Sequence, residues 1–194
     1  MCFLNFLDQP CDAGATIQLG QRDKLRQIIG FFEILVFLIK ACYQHFKKRK
    51  VEAGAAAIDN IAKAITGDFP DVSIDFSKVT ILSGELASPC GTMHHLPGTN
   101  KLYFSWATCV QSNSNRNDEL MAMIYSPATS GFWCEPNLGI TRADGFCTID
   151  VPEEFNGAEA HVWLAYRSAD QKYLSDSSYM GRVFSNQKGD GTDQ

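Results

Sequence analysis

One group of residues in the sequence could hold a metal ion. Cys90, His94 and His95 fall within the segment PCGTMHHLPG. Thiolate and imidazole groups are typical zinc ligands, but a structural zinc site needs paired spacings and four ligands, and the fourth would have to come from Cys109 or elsewhere. The segment is bounded by proline and glycine, which is typical of a surface loop. We therefore predict no metal and no cofactor, and a metal-dependent enzyme built on this loop is the alternative.

Other catalytic chemistry has little support in the residues. GxSxG, HExxH, GxxxxGK[ST] and GxGxxG are all absent from the sequence. The pairs Asp144 with Asp150 and Glu153 with Glu154 resemble turn and strand-edge residues, whereas glycosidase chemistry needs two carboxylates held across a cleft. The sequence therefore predicts a protein that is not an enzyme and identifies no small-molecule substrate.

Aromatic residues outside the predicted core could recognise a partner. Tyr173 is the first candidate, because it lies in a predicted loop between two strands and large aromatic side chains dominate many contact surfaces. His161 lies on a predicted strand, and we interpret it as a half-exposed sheet residue rather than a general base.

From Val72 onward the apolar residues recur with period two, which is typical of β-strands. Turn residues such as Pro97-Gly98 and Asp144-Gly145 separate short runs. This spacing predicts an antiparallel β-sandwich of immunoglobulin or fibronectin type III character over residues 71–185, followed by a flexible polar tail at 186–194. The predicted strands are Val72–Phe76, Val79–Leu82, Lys101–Ala107, Glu119–Ser126, Gly131–Glu135, Phe146–Val151, Glu159–Arg167 and Ser178–Phe184.

The N-terminal third has a different period. Its most apolar stretch, Leu25–Phe46, carries polar residues every seven positions, which predicts a helix that is apolar around most of its circumference. A second predicted helix, Glu52–Thr66, ends at Gly67 with Pro70 behind it. The sequence thus predicts an irregular arm at 1–16, a helical hairpin at 17–70 and an α+β fold with the sandwich after the hairpin.

The short second helix cannot cover the apolar surface of the first. We therefore expect a homo-oligomer or a larger protein assembly, and a phage virion or injection apparatus is one such particle. The residues predicted to form this packing interface are Ile28, Phe31, Phe32, Leu35, Phe37, Leu38 and Ile39.

A membrane anchor is the alternative interpretation of Leu25–Phe46, with the basic run Lys47, Lys48, Arg49 and Lys50 as its flank. Spanning a bilayer needs about 20 mainly apolar residues, and Glu33 and Lys40 interrupt this stretch. The basic run could contact anionic lipid, nucleic acid or the acidic remainder of a neighbouring copy, since the chain as a whole has a net charge of −5. Without interleaved aromatic residues or a known motif, nucleic acid is not favoured.

Cysteine usage and the N-terminus bear on the compartment. The seven cysteines are an odd number without CxxC spacing, which argues against a disulfide framework. The first residues, MCFLNFLDQPC, lack the basic and apolar regions of a signal peptide. We expect a cytoplasmic protein, or one incorporated into a particle.

Two signatures resemble a known family. AIDNIAKAITGDFPDVSIDFSKVTILSGEL and HVWLAYRSADQKYLSDSSYMGRV, with LYFSW and ELMAMIYSP between them, are similar to segments of small uncharacterised bacterial proteins grouped as a domain of unknown function. The resemblance implies N-terminal helices before a sandwich, and it implies no activity. The arm Met1–Leu19 departs from the longer glycine-rich, basic segment of that family. The matching positions are Ala64, Ile65, Gly67, Pro70, Ile74, Asp75, Phe76, Ser77, Lys78 and Gly84, then Ser168, Asp170, Lys172, Ser175, Ser177, Tyr179 and Gly181.

Overall fold

The fold is known from a computed structural model that describes Glu33 and residues 63–67, 73–96, 98–109 and 112–184. The described residues form nine strands, and each strand pairs with its neighbours in antiparallel orientation. The strands are β1 (Ile65–Thr66), β2 (Ser73–Ile74), β3 (Gly91–His95), β4 (Lys101–Trp106), β5 (Glu119–Ser126), β6 (Gly131–Glu135), β7 (Phe146–Asp150), β8 (Glu159–Arg167) and β9 (Ser178–Phe184).

Seven of these strands build a sandwich of two sheets. One sheet has the order β3-β4-β7, and the other has the order β6-β5-β8-β9. The chain crosses from one sheet to the other between β4 and β5, between β6 and β7, and between β7 and β8. Antiparallel strands that alternate between two sheets in this way form the Greek-key sandwich of immunoglobulin-like and fibronectin type III-like domains.

The first hydrophobic core lies between the two sheets. Strand β4 contributes Leu102, Phe104 and Trp106, which are buried because alternate residues of a strand point to the same face. The opposite sheet contributes Leu120, Tyr166 and their neighbours. A buried ion pair closes one end of this core: the carboxylate of Asp118 lies 3.2 Å from the guanidinium of Arg142, which also lies 3.8 Å from the centre of the Tyr166 ring.

A second core lies on the outer face of the four-stranded sheet. In β5 and β8 nearly every residue is buried, so both faces of these strands are covered. Met123 and Trp163 point outward from the sandwich and pack with Val79 and Leu82 of the segment before β3. Strands covered on both faces read as continuous apolar runs rather than alternating ones, as ELMAMIYS and EAHVWLAY do.

The segment that covers this outer face, residues 73–86, approaches the sheet region closely. At Gly84 a Cβ atom would lie 2.0 Å from the carbonyl oxygen of Leu174, so a side chain would separate the two backbones. Just beyond, the amide of Leu86 donates to that same carbonyl at 2.9 Å. This contact explains why a glycine stands at a family signature position.

The predicted α+β fold with a helical hairpin at 17–70 is wrong. Lys63 and Ala64 are helical, but Ile65–Thr66, the predicted end of the second helix, forms β1 and pairs with β2 after a turn through Gly67. No helix longer than three residues lies within the part of the chain that the structure describes. Tertiary pairing of β-branched residues therefore overrides the helical period at this end. The rest of the predicted hairpin, the arm at 1–16 and the tail at 186–194 lie outside the described residues.

The predicted strand segments agree with the structure from β4 to β9 and differ from it before β4. The segment Gly91–His95, predicted to be a loop, forms β3. The predicted strand Val79–Leu82 has no strand assignment and instead lies as buried cover over the second core. Among the described residues no helix has the length and apolarity that crossing a membrane requires.

Candidate functional site

The first signature segment forms a turn that is stabilised by its own side chains. Asp75 caps the 3-10 helix Phe76–Lys78, and its carboxylate accepts a hydrogen bond from the backbone amide of Ser77 at 3.1 Å. The ammonium of Lys78 lies 3.1 Å from the same carboxylate. Hydrogen bonds from the Ser77 hydroxyl and then from Lys78 lower the pKa of Asp75, so this carboxylate is charged at neutral pH. The turn is the element that positions Phe76.

Phe76 packs against a histidine on β8. Its ring stacks on the imidazole of His161 with the ring centres 4.0 Å apart and the planes 27° apart. The rings of Tyr125 and Trp163 lie 5.8 and 6.4 Å from Phe76. His161 is only 7% exposed, so its imidazole forms a layer between the turn and the sheet.

The polar partners of His161 come from β8 and β9. Its Nδ1 lies 2.9 Å from the hydroxyl of Tyr179, and its Nε2 faces the carboxylate of Glu159 at 3.5 Å. Arg182 approaches the other oxygen of Glu159 at 3.6 Å. Burial lowers the pKa of His161, with Glu159 opposing the shift and Arg182 adding to it, so the imidazole is neutral at pH 7. Burial also raises the pKa of Tyr179.

These groups surround a shallow opening of about 360 Å³, which we name the His161 cleft. The cleft has an aromatic floor and a charged rim, and its imidazole is already engaged by Tyr179. This arrangement is suited to holding the turn on the sheet. The lining residues are Ile74, Asp75, Phe76, Ser77, Pro127, Glu159, His161, Tyr179 and Arg182.

The chain beyond the turn is fixed to the second signature by buried hydrogen bonds. The indole nitrogen of Trp163 donates to the carbonyl of Val79 at 2.9 Å. The hydroxyl of Ser177 accepts from the amides of Ile81 and Leu82 at 2.7 and 3.2 Å. Two segments about a hundred residues apart in the sequence therefore contact each other through these hydrogen bonds.

The candidate metal ligands of the alternative interpretation, Cys90, His94 and His95, are not brought together in the structure. Cys90 is exposed before β3, and His94 and His95 are consecutive residues of β3, so their side chains point to opposite faces. His94 is exposed and lies opposite Tyr103 of β4. Within the described ranges, no three His, Cys, Asp or Glu residues are grouped as metal ligands would be.

Tyr173 lies in the connection between β8 and β9 and is 43% exposed. Its carbonyl accepts from the amide of Ser168 at 2.9 Å, and its own amide donates to the Ser168 hydroxyl at 2.9 Å, so the backbone holding this ring is ordered by local bonds. Of the segment Leu25–Phe46 the structure describes Glu33, which is exposed. The predicted packing residues Ile28, Phe31, Phe32, Leu35, Phe37, Leu38 and Ile39 and the basic run Lys47, Lys48, Arg49 and Lys50 lie outside the described residues.

Sequence reasoning missed an aromatic pair formed by an exposed phenylalanine and a half-buried tyrosine. Phe146 on β7 is 61% exposed, and its ring centre lies 6.3 Å from that of Tyr103 on β4, with the planes 26° apart. Both rings lie on the outer face of the three-stranded sheet, which we name the outer aromatic face. The signal was present, because Phe146 alternates in phase with the polar residues Thr148 and Asp150 and out of phase with the buried Cys147.

The segments that meet at the His161 cleft are also those that resemble a family. The model of the "Family of unknown function (DUF6266)" matches residues 9–181. The chain belongs to this family. The resemblance predicted from the two signatures is thereby confirmed, and in this member of DUF6266 both signatures serve to hold residues 74–84 on the sheet.

Solved structures include a similar domain. The fn3 domain of the human collagen alpha-1(XX) chain is 10% identical in sequence, with 58% of this chain and 97% of that domain covered and a TM-score of 0.39. We assign the fibronectin type III-like sandwich from the strand order itself. No curated protein matches the chain.

Proposed function

We propose that this member of DUF6266 is a non-enzymatic interaction module that assembles with further copies of itself within a larger particle, such as a phage virion or injection apparatus. The observation that carries the proposal is the outer aromatic face. An exposed phenylalanine on a rigid sheet costs solvation free energy in an isolated subunit, and burying it against a partner recovers that cost.

The surroundings of the face support a contact between proteins. Phe146 and Tyr103 are its aromatic residues, and Thr148 beside them is exposed. At one border Lys101 and Asp150 form an exposed ion pair at 2.9 Å. Aromatic residues combined with polar and charged ones are typical of a protein interface.

Light scattering after size-exclusion chromatography tests the proposal with a matched pair of variants. Phe146 and Phe184 are each 61% exposed, but Phe184 ends β9 on the other sheet. We expect Phe146→Ser to lower the oligomeric mass at a concentration where the wild type is assembled, because it removes the exposed aromatic ring of the contact. Phe184→Ser should leave the mass unchanged. A monomeric wild type across the accessible concentrations, or equal effects of the two variants, would contradict the proposal.

The apolar segment Leu25–Phe46 is a proposed second contact. Its support is the sequence alone, which places Phe31 and Leu35 among a broad set of apolar residues. The double variant Phe31→Ser, Leu35→Ser should have a lower oligomeric mass than the single variant Phe146→Ser. An unchanged mass in the double variant would remove this segment from the assembly.

A further inference from the structure

The turn at 75–78 touches the sheet through a group that can gain a proton. His161 is buried between Phe76, which stacks on it at 4.0 Å, and Tyr179, whose hydroxyl lies 2.9 Å from its Nδ1. Only Val79 and Thr80 separate the turn from Ile81 and Leu82, whose amides donate hydrogen bonds to the Ser177 hydroxyl. A change at His161 therefore acts at the start of the covering segment.

We infer that His161 is an acid-sensitive latch, whose protonation loosens residues 74–82 of the covering segment from β8 and β9. The inference is independent of assembly. Its consequence is that acid uncovers Phe76 and the apolar outer face of the four-stranded sheet, which gives the module a second apolar surface that depends on pH.

Burial and the charges around His161 together determine the direction in which its pKa shifts. A proton would place an imidazolium in a site that is only 7% exposed, and burial disfavours the charged form. Arg182 on β9 and Lys78 on the turn are cations near the cleft, whereas Glu159 and Asp75 are anions. Glu159 and the Phe76 ring attract the imidazolium and reduce the penalty, but burial is the larger effect on the pKa of His161 and lowers it.

The direction of the pH dependence follows from the linkage between proton binding at His161 and release of the covering segment. Once the covering segment is released, His161 on β8 is solvated and protonates near the ordinary pKa of 6.5, whereas the buried imidazole of the closed state protonates only at lower pH. The released state therefore binds more protons than the closed state as the pH falls below 6.5, and release becomes more favourable. One proton with an ordinary pKa of 6.5 limits the increase in the opening constant to about tenfold between pH 7.5 and 5.5.

Amide hydrogen exchange on the full chain measures this opening. Protection factors, corrected for the intrinsic pH dependence of exchange, are compared at pH 7.5 and 5.5 for Ile81 and Leu82. We expect them to fall several-fold in the wild type, up to about tenfold, while amides of β5 keep their protection. His161→Phe preserves a ring against Phe76 and should abolish the pH dependence, and His94→Phe, on the exposed face of β3, should retain it.

Two results would overturn the latch. One is a pH dependence in His161→Phe equal to that of the wild type. The other is an NMR titration of the wild-type imidazole that gives a folded-state pKa of 6.5 or higher. The titration requires no substitution, so it decides the question even if His161→Phe does not fold.

Discussion

Ser177 is the side chain whose removal most directly tests how the covering segment is held. Its hydroxyl accepts two buried backbone donors, the amide of Ile81 at 2.7 Å and the amide of Leu82 at 3.2 Å. Ser177→Ala removes the oxygen and leaves a methyl group of nearly the same shape. The variant therefore isolates the loss of hydrogen bonds from any change in packing.

The expected magnitude follows from the two donors. A buried polar group left without a partner costs about 1–3 kcal/mol, so two orphaned amides should cost about 2–6 kcal/mol. Water entering the edge of the segment reduces that figure, and we expect about 2–4 kcal/mol. With a urea m-value of about 2 kcal/mol/M, the unfolding midpoint should fall by about 1–2 M.

Urea unfolding followed by tryptophan fluorescence measures this loss, because Trp163 lies in the same core. The matched control is Ser83→Ala, which removes a hydroxyl that donates to Asp176 at 2.8 Å in an exposed position and should change stability by less than about 0.5 kcal/mol. If Ser177→Ala loses no more free energy of unfolding than Ser83→Ala, and the amides of Ile81 and Leu82 keep their exchange protection, the reasoning is refuted.

Three further predictions concern ionisable side chains that are buried or hydrogen-bonded. Asp118→Ala leaves the guanidinium of Arg142 buried without its carboxylate and should cost about 3–5 kcal/mol in urea unfolding, and a loss below about 1 kcal/mol would contradict this. Burial raises the pKa of the Cys147 thiol to about 11, so at pH 8 a thiol reagent should modify it only after unfolding, whereas equal reaction rates for all thiols would disprove its protection. The Ser168 hydroxyl, bonded to Asp170, lowers the pKa of that carboxyl to about 2; its stabilising contribution is present above about pH 4 and is lost towards pH 2, so the difference in Tm between the wild type and Asp170→Asn should shrink over that range.

The strands from β4 onward could be predicted because alternation is a local property. Leu102, Phe104 and Trp106 share one face of β4 by the geometry of an extended chain, whatever packs on them. The same locality explains the error at Gly91–His95. That segment has no alternation of apolar and polar residues, and it is a strand because it pairs with β4, a partner that no local pattern reveals.

The prediction of the fold class was wrong at a point where local and tertiary preferences compete. Ile65 and Thr66 continue a helical pattern from the N-terminal side, but they are also β-branched, and pairing with Ser73–Ile74 decides the outcome. Periodicity reports which faces are apolar, and it does not report which element will cover them.

The sequence by itself determined the sandwich strands from β4 onward, the family and the presence of two signatures, since each depends on residue types at short spacing. Only the tertiary structure decided what the signatures do. Phe76 and Ser177 meet their partners across about a hundred residues of chain, and His161 is buried because both faces of β8 are covered. Burial and long-range contact belong to the packed chain, so no local pattern of residues contains them.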